Sequence, residues 1–528
     1  MYLKVCPMNI DISVLFDNLV SHYGDREALV NLERNRRYSY ADLHKLSNRI
    51  ANMMRDKLKL TRGDCYLSIL ENDNLSLLHL WTSLKAEATS VWTNYRDAMA
   101  EHSRQIELTK PKVVFIEKVL LEDYFELLSR QNITIVCMDQ PDKSYPNVYQ
   151  FWELLEGCSE QCPAVEHGDR QDTVLLRFTG GTTGKGKCAA YTLDNWMHAC
   201  DAYGFLPDNL FTPETRYLHI GPISHGSGIQ ILPTFLNGGC TLTMNTPDLE
   251  AWGNYVEQES ITTSMMVPTL LYRLLDSPRV MAGEFSSLET IVYGAAPMTP
   301  SKLDALQSHF GNIFVQVYAA TENLAVVTYL DRASHASENR HILASCGKPT
   351  PGLEVKLVDP SGQPVATGDI GEIWIRSRST IAQYFNNAEA SEAEFADGYW
   401  RSGDLARKDE EGYLYIVDRC KDLIISGGFN IYAAEVEAVI NAHPAVTMSA
   451  VIGIPHEEWG EVVHAEVVIK EWCSCNAEEL QTHVKQALGS YKAPKSIEFV
   501  DDLPLSAVGK VLRRQIKDRY FSRQIEAV

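Results

Sequence analysis

The sequence predicts an α/β fold with mostly parallel sheets. Three observations predict it: a length of 528 residues, a globular composition with 45% hydrophobic and 22% charged residues, and repeated strand–loop–helix units. Strands joined through helices in this way form layered sheets with helices on their faces. We therefore expect a large multi-layered N-terminal domain with mostly parallel sheets, followed by a small α+β domain.

The strand–loop–helix units lie between residues 173 and 318. Short runs rich in β-branched or aromatic residues predict strands, and these lie at residues 173–178, 261–267, 288–293 and 313–318. Apolar residues at helical spacing predict helices, and these lie at residues 192–200, 268–275 and 299–310. Residues 179–187 are predicted to form a loop rich in glycine and threonine.

The pattern changes near residue 350, where turns rich in Gly, Pro and Asp separate predicted meander strands. These strands are expected at residues 353–358, 372–376 and 413–417. A smaller α+β pattern follows, with a hairpin around Gly427 and further elements at residues 433–441, 449–454, 462–469 and 477–488. We place the domain boundary at residues 418–421, which gives domains of residues 1–418 and 419–528.

Charge and cysteine content exclude several classes of protein. The net charge of −21 has the wrong sign for binding nucleic acid or an anionic membrane through a broad basic face. The 12 cysteines form neither a disulfide framework nor a CxxC pair, and no stretch of 18 apolar residues occurs. We expect reduced thiols, a cytoplasmic location and no membrane span. The oligomeric state stays open, with a homodimer as one alternative.

The loop FTGGTTGKGKC at residues 178–188 has the chemistry of a polyphosphate cradle. Glycines allow close approach of the backbone, while N–H groups, threonine hydroxyls and the lysines donate to phosphate oxygens. A Walker-type P-loop is disfavoured because Cys188 stands where Ser or Thr must bind magnesium. A flexible turn without a ligand is the remaining alternative.

This loop resembles the phosphate loop T-S-G-(S/T)-T-G-x-P-K-G of the adenylate-forming superfamily, which contains acyl-CoA synthetases, beetle luciferases and peptide-synthetase adenylation domains. The matching residues are Thr179, Gly181, Thr182, Thr183, Gly184 and Lys187. Gly180, Gly186 and Cys188 depart from the pattern. The missing serine removes a phosphate donor, and the missing proline predicts a more mobile loop. Restoring both is expected to raise adenylation, or at least not to lower it.

The segment YAATE at residues 318–322 resembles the Y-G-x-T-E motif of the same superfamily. The resemblance implies that Tyr318 lies against adenine, Thr321 contacts the α-phosphate and Glu322 helps to hold Mg²⁺, together with Thr183. A strand-end Thr-Glu pair by itself is more often a helix cap. Its order relative to the other motifs favours the functional interpretation.

Two further segments resemble motifs beside the acid. The segment PISHGSG at residues 222–228 resembles P-x-x-H-x-x-G and implies that His225 stands between the pocket and the nucleotide. The segment GAAPM at residues 294–298 resembles G-(A/G)-A-P, which passes along the acyl group and the adenine. The implied nucleotide contacts are Gly294, Ala295, Ala296 and Pro297. The implied acyl pocket consists of His225, Gly294, Ala295, Ala319 and Ala320.

The C-terminal motifs complete the implied site. Asp404 of YWRSGD matches the residue that binds the ribose diol, a role that suits a carboxylate because each oxygen accepts one hydrogen bond. Arg419 would contact the ribose and Lys421 occupies the hinge position. Lys510 matches the catalytic lysine that reaches the carboxylate and the α-phosphate. The implied CoA or pantetheine contacts are Ser426, Gly427, Gly428 and Trp459.

The ordered motifs imply an ATP-dependent carboxylic acid–CoA ligase that works through an acyl-AMP. The resemblance also implies that the large domain includes a small β-barrel-like part and that the small C-terminal domain is mobile. ATP, Mg²⁺ and coenzyme A are the expected cofactors and co-substrates, and residues 423–431 resemble those of aryl and medium-chain acyl-CoA ligases. The segment after His225 lacks the aspartate that peptide-synthetase domains use for an α-amine. Two alternatives remain: an enzyme that loads a separate acyl carrier protein, and a non-catalytic nucleotide-binding protein.

Overall fold

A computed structural model describes residues 12–163, 171–179, 186–471, 473–505 and 511–526. Four β-sheets form within these ranges, two large and two small. The large sheets are mostly parallel, as repeated strand–loop–helix units dictate. The predicted α/β class is therefore confirmed.

The first sheet has nine strands among the described residues. Its order in space is Lys348–Pro349, Asn323–Leu330, Phe314–Ala320, Thr290–Gly294, Thr263–Met266, Arg216–His219, Cys240–Thr243, Glu27–Asn31 and Arg36–Ser39. The middle strands run parallel, and the strands at the two edges are antiparallel to their neighbours.

The second sheet has seven strands in the same described part of the chain. Its order is Val148–Gln150, Thr134–Cys137, Val113–Ile116, Cys65–Ile69, Thr89–Trp92, Thr173–Phe178 and Cys188–Thr192. The last strand is antiparallel to Thr173–Phe178, so the chain turns back at the glycine-rich loop. This strand is absent from our prediction, because a five-residue run next to a glycine-rich loop and a helix N-cap gives little periodicity to detect.

Two small sheets follow the large ones. The third sheet is antiparallel and contains Glu354–Val358, Ile370–Arg376, Phe395–Ala396, Tyr399–Lys408 and Leu414–Arg419. The fourth contains Ile424–Ser426, Phe429–Ile431, Val446–His456, Gly460–Ile469 and Ser496–Phe499. The predicted hairpin is confirmed, since Ser426 pairs with Phe429 across Gly427 and Gly428.

Helices cover the sheets. The α-helices are Ile12–Tyr23, Tyr40–Asn52, Asn72–Leu77, Leu80–Ala86, Met99–Thr109, Lys118–Arg130, Phe151–Leu155, Leu193–Tyr203, Ile231–Leu236, Leu249–Gln258, Pro268–Leu275, Pro278–Met281, Pro300–Phe310, Arg332–His335, Ala388–Glu394, Ala433–Asn441, Ala477–Leu488 and Arg513–Glu526. Further helical turns are the π-helix Met53–Lys57 and the 3₁₀ helices Gly226–Gln230, Arg340–Ala344 and Cys420–Asp422. The predicted helices at residues 268–275, 433–441 and 477–488 are confirmed with the same bounds.

The main core lies between the first and second sheets. One apolar cluster combines Leu29 and Leu324 of the first sheet with Trp92 and Leu175 of the second. The cluster fixes the two sheets against each other, because large apolar side chains from both become buried together. Among the described residues, no helix is both long enough and apolar enough to span a membrane.

A buried carboxylate joins the same two sheets. Glu117 is 1% exposed and follows a strand of the second sheet. It accepts hydrogen bonds from Asn74 Nδ2 at 2.9 Å and from Arg34 Nη2 at 3.1 Å. Arg34 lies between two strands of the first sheet. Glu117 therefore connects the two large sheets through charge-assisted hydrogen bonds.

Replacement of this carboxylate tests the connection. Glu117→Gln should lower the free energy of unfolding by about 1.5–3 kcal/mol, because a buried charge-assisted hydrogen bond is lost while Arg34 keeps its ion pair with Glu71 at 2.8 Å. Glu122→Gln is the control: Glu122 pairs with Lys143 at the surface, where ion pairs contribute about 0–1 kcal/mol. Urea unfolding followed by tryptophan fluorescence measures both. Equal losses in the two variants would contradict the assigned role.

Candidate active site

The glycine-rich loop has a closed stem. Thr179 N–H donates to the Lys187 carbonyl at 2.8 Å, and Lys187 N–H donates to Thr179 Oγ1 at 3.1 Å. The stem therefore holds the two ends of the loop together between adjacent strands of the second sheet. Four predicted phosphate contacts lie outside the described residues: Gly181, Thr182, Thr183 and Gly184.

Gly186 is required by the stem. A Cβ at this position would lie 2.6 Å from the Thr179 carbonyl oxygen and 3.3 Å from Arg104 Nη2. A carbon atom cannot approach a backbone oxygen so closely, so any other residue would push the two arms of the stem apart. This contact opposes the expectation that restoring the serine and the proline would raise adenylation or at least not lower it, and that expectation stays a prediction. The family pattern gives no sign of this, because the contact depends on the path of this particular loop.

Lys187 contacts protein groups at the end of the stem. Its Nζ lies 2.5 Å from both carboxylate oxygens of Glu394 and 3.0 Å from the Tyr384 hydroxyl. The ammonium also lies 4.5 Å from the centre of the Tyr384 ring. The positive charge predicted here for phosphate is thus held by a carboxylate and an aromatic face.

A second group connects the predicted adenine and ribose residues. Tyr318 Oη donates to Asp404 Oδ2 at 2.6 Å, and Arg419 Nε lies 3.0 Å from Asp404 Oδ1. Asp404 is 6% exposed, and its charge raises the pKa of Arg419. The structure therefore brings these three predicted residues together across the first and third sheets. Each oxygen of Asp404 has a further lone pair available for a hydroxyl donor.

Thr321 and Glu322 follow directly on the same chain segment. Tyr191 Oη donates to the Thr321 carbonyl at 2.5 Å, and Tyr384 Oη donates to Glu322 Oε1 at 2.7 Å. Glu322 is 7% exposed. Burial raises the pKa of its carboxyl, whereas the bond from Tyr384 and the charge of Lys187 lower it. Through these hydrogen bonds the two tyrosines hold Thr321, the predicted phosphate contact, and Glu322, the predicted metal ligand.

His225 begins the turn Gly226–Gln230. Its Nδ1 lies 3.1 Å from Ser224 Oγ, and the Ser224 carbonyl accepts from Arg177 Nε at 3.1 Å. A Cβ at Gly228 would lie 1.8 Å from the Ile223 carbonyl oxygen, so this position accepts glycine alone. The tight turn sets the direction in which His225 leaves the backbone.

The predicted acyl and adenine residues lie at neighbouring strand ends of the first sheet. Gly294 pairs with Val317, and a Cβ at Gly294 would lie 2.2 Å from the Val317 carbonyl oxygen. Ala295 then adopts a positive φ of 68°. Its small side chain and those of Ala296, Pro297, Ala319 and Ala320 stand at this edge, where parallel sheets commonly bind ligands.

The predicted hinge residue and the predicted pantetheine contacts lie in the small C-terminal part of the chain. Lys421 lies in the turn Cys420–Asp422, where burial and then the charge of Arg419 lower its pKa. Gly427 and Gly428 have φ values of 56° and 84°, which favour glycine. Gly427 N–H donates to the Trp459 carbonyl at 2.8 Å, so hairpin and Trp459 are adjacent. Lys510 lies outside the described residues.

Four residues that support this site lie outside the predicted set. Arg177 is 4% exposed, and its Nη1 has no hydrogen-bond partner within the described ranges. Its guanidinium lies 5.9 Å from the Tyr191 ring. With Tyr384 and Glu394, these residues link the motifs to one another. A buried-strand arginine two residues before Thr179 is a signal that could have been found, whereas the other three depend on tertiary contacts.

The site matches a known family along most of the chain. The family described as AMP-binding enzyme matches residues 16–385, and the AMP-binding enzyme C-terminal domain matches residues 435–510. The chain belongs to the AMP-binding enzyme family. The predicted membership of the adenylate-forming superfamily is thereby confirmed, and the two matched segments lie on either side of the third sheet's last strand.

Relatives of this AMP-binding enzyme include ligases for several acids. The chain is 38% identical to the medium/long-chain fatty acid–CoA ligase FadD8 of Mycobacterium tuberculosis, over 67% of this chain and 62% of FadD8. It is 30% identical to indoleacetate–CoA ligase of Aromatoleum aromaticum, over 91% of this chain and 92% of that ligase. It is 28% identical to the fatty acid–[acyl-carrier-protein] ligase ScoC of Streptomyces coeruleorubidus, over 92% of each chain.

Solved structures agree with the fold of this AMP-binding enzyme. ATP-bound MatB from Rhodopseudomonas palustris is 27% identical and superposes with a TM-score of 0.85 over 97% of this chain and 99% of that one. The predicted architecture of parallel sheets with a small further domain agrees with this likeness.

A conservative substitution tests the adenine–ribose group. Tyr318→Phe keeps the ring but removes the donor to Asp404, so it should raise KM for ATP by about two- to tenfold, the worth of one net hydrogen bond. Tyr399→Phe is the control, because Tyr399 donates to Glu354 at an exposed position of the third sheet. Initial rates at varied ATP concentration measure both. An unchanged KM in Tyr318→Phe would contradict a role of this hydrogen bond in nucleotide binding.

Proposed function

We propose that this chain is an ATP-dependent carboxylic acid–CoA ligase that forms an acyl-AMP intermediate. The observation that carries the proposal is the convergence of Tyr318, Asp404 and Arg419 beside the buried Glu322, on a chain of the AMP-binding enzyme family. These groups offer an aromatic ring, a diol acceptor, a cation and a hard oxygen ligand at one edge of a sheet.

The first half-reaction joins the acid to AMP. A carboxylate oxygen of the acid attacks the α-phosphorus of ATP, and the bond to pyrophosphate breaks. Catalysis of such a step depends on positioning and on stabilising phosphate charge. Thr321, the stem at Thr179 and Lys510 are the residues we assign to the phosphates, and Asp404 holds the ribose.

The second half-reaction transfers the acyl group to a thiol. The CoA sulfur, as thiolate, attacks the acyl carbonyl carbon, the bond to AMP breaks, and the thiol proton passes to solvent. We assign His225 to the boundary between the acid and the nucleotide. The hairpin at Gly427 and Gly428, with Trp459 beside it, is the passage we assign to pantetheine, reached by rotation of the small domain about Lys421.

Magnesium fits Glu322. Mg²⁺ takes one or two protein carboxylates and completes its ligands with phosphate oxygens and water, so a single buried carboxylate beside the phosphate loop is a sufficient protein contribution. When bound with ATP, Mg²⁺ would neutralise part of the phosphate charge. Tyr384 contributes by orienting the Glu322 carboxylate through its hydrogen bond.

The acid is apolar in this proposal, either aryl or medium-chain. Val292 and Val317 belong to the two strands that end at the predicted acyl residues, and they lie in an apolar cluster that includes Tyr217, with the partly buried Met265 packed against it. Apolar side chains at the base of a pocket favour an apolar ligand body with its polar group at the mouth. The similarity to ligases for indoleacetate and for fatty acids supports the same class.

Two acceptor thiols fit the proposal, that of CoA and that of an acyl carrier protein. Similarity to the carrier-protein ligase ScoC over 92% of each chain favours, as a second candidate, transfer to an acyl carrier protein. Both candidates share the first half-reaction and differ in the second. The exposed glycine hairpin could receive the same pantetheine arm from either source.

Release of AMP with a panel of acids tests the proposal. Aryl acids and fatty acids of increasing length are supplied with ATP and Mg²⁺, with and without CoA. A cognate acid should give AMP release that CoA stimulates strongly. Acid-dependent exchange of pyrophosphate into ATP without stimulation by CoA would favour the carrier-protein candidate. Failure of every acid to support exchange would contradict an adenylating activity.

A further inference from the structure

Two carboxylates and one lysine meet at the Tyr384 hydroxyl. Tyr384 Oη lies 2.5 Å from Glu394 Oε2 and 2.7 Å from Glu322 Oε1. Lys187 Nζ lies 3.0 Å from the same hydroxyl and 2.5 Å from both oxygens of Glu394. Of these four side chains, the motifs account for Lys187 and Glu322 alone.

The four side chains form one hydrogen-bonded cluster. A tyrosine hydroxyl carries one proton, so it can donate to one of its two carboxylate neighbours. Both carboxylates lie within hydrogen-bond distance of this hydroxyl, Glu394 at 2.5 Å and Glu322 at 2.7 Å, and the Lys187 ammonium donates to both oxygens of Glu394. The hydroxyl oxygen in turn accepts from Lys187. Glu394 therefore contacts both Lys187 and the Tyr384 hydroxyl, and Tyr384 connects this pair to Glu322.

The position of Glu394 lets it connect separate parts of the nucleotide site. It ends the helix Ala388–Glu394 and precedes the strand Phe395–Ala396, which pairs with the strand that carries Asp404. Lys187 belongs to the stem of the phosphate loop. The ion pair thus ties the phosphate loop of the second sheet to the ribose strand of the third.

The pair contributes little to folding stability. The side chains of Lys187 and Glu394 are 23% and 32% exposed, and partly exposed ion pairs contribute about 0–1 kcal/mol. The geometry around it is nevertheless specific, because the carboxylate contacts the ammonium with both oxygens and the ring lies beside it. Such a contact affects where the ammonium lies more than whether the chain folds.

We propose that Glu394 is a positioning residue for the adenylation half-reaction, acting through Lys187 and Tyr384 on the phosphate loop and Glu322. This inference rests on the proposed function and extends it to a residue outside the family motifs. Glu394 fixes Lys187 at the loop stem, where neither the usual proline nor the usual serine constrains the loop. It also contacts the Tyr384 hydroxyl, which lies 2.7 Å from Glu322.

A pair of neutral substitutions tests the proposal. Glu394→Gln should lower the rate of acid-dependent ATP–pyrophosphate exchange by about tenfold or more, because small misplacements at a reacting centre have effects of this size. Thioester formation from supplied acyl-AMP should stay within about twofold of the wild type, since no pyrophosphate group takes part. Glu392→Gln, an exposed position on the same helix, should leave both rates unchanged. Equal losses in both half-reactions, or unchanged exchange, would overturn the proposal.

A double-variant cycle tests whether Glu394 acts through Lys187. If it does, Glu394→Gln should have little further effect on exchange in a Lys187→Met background. Full additivity of the two losses would overturn the assigned route. A merely structural role for Glu394 would not produce this dependence.

Chemical labelling separates this inference from the proposed function. Acetic anhydride should modify the Lys187 amine several-fold faster in Glu394→Gln than in the wild type or in Glu392→Gln, whichever acids are turned over. Peptide mass spectrometry measures the extent at Lys187. Equal labelling in the three proteins would overturn the anchoring role even if the enzyme is active, while faster labelling in an enzyme inactive with every acid would support the anchor and contradict the proposed ligase.

Discussion

Lys510→Ala should abolish acyl-adenylate formation and leave thioester formation from supplied acyl-AMP largely intact. The lysine matches the residue that reaches the carboxylate and the α-phosphate, and loss of one such contact lowers a rate by about 10²–10³. Attack of a thiol on the carbonyl of a preformed adenylate does not need that charge. Pyrophosphate exchange and thioester formation measure the two steps separately.

The control is another lysine of the same C-terminal segment. Lys485 is exposed on the helix Ala477–Leu488, so Lys485→Ala should leave both steps unchanged. Arg513, three residues after Lys510, pairs with Asp422 at 2.9 Å and so links this end of the chain to the predicted hinge at Lys421. Proline fixes one backbone torsion, and the predicted hinge rotation comes between the two steps. Lys421→Pro should therefore slow thioester formation more than adenylation. Equal loss of both steps in both variants would contradict domain rotation.

Gly186→Ala should lower the adenylation rate by about 10²-fold, because the added carbon forces apart a stem that positions the phosphate loop. The Cβ would lie 2.6 Å from the Thr179 carbonyl oxygen. Gly186→Pro should be at least as harmful, although proline is the family's usual residue at this position. Pyrophosphate exchange at saturating ATP measures the effect.

A second glycine provides the control for Gly186. Gly253 lies within the helix Leu249–Gln258, and a Cβ there would meet its neighbours at 3.6 Å or more. Gly253→Ala should leave adenylation unchanged. Wild-type exchange by Gly186→Ala would contradict the closed stem, and wild-type exchange by Gly186→Pro would restore the expectation drawn from the family pattern.

Much of the fold follows from local patterns in the sequence. The helix Ala433–Asn441 and the strand Thr173–Phe178 have the predicted bounds, since each is long or strongly patterned for its type. The strand Cys188–Thr192 was missed because its partner, Thr173–Phe178, lies across a loop and a five-residue run carries little signal of its own. Pairing across such a loop is a tertiary property.

Some residues of the candidate site are likewise predictable from the sequence, and others are not. Tyr318, Asp404 and Arg419 are recognisable from motifs, and the structure brings them together. Glu394 carries no motif, since its role arises from a helix end that meets the loop stem in space. The motifs likewise give no sign that Lys187 and Arg419 are each paired with a carboxylate.

The central claim is that the acid reacts with the α-phosphate of ATP. An acid labelled with ¹⁸O in its carboxylate, chosen from those that support AMP release, is incubated with ATP, Mg²⁺ and CoA, and the products are analysed by mass spectrometry. Our account predicts one ¹⁸O atom in AMP, because the attacking carboxylate oxygen stays on the α-phosphate when the thiol displaces it. Appearance of ¹⁸O in inorganic phosphate, or its absence from AMP, would contradict an acyl-adenylate.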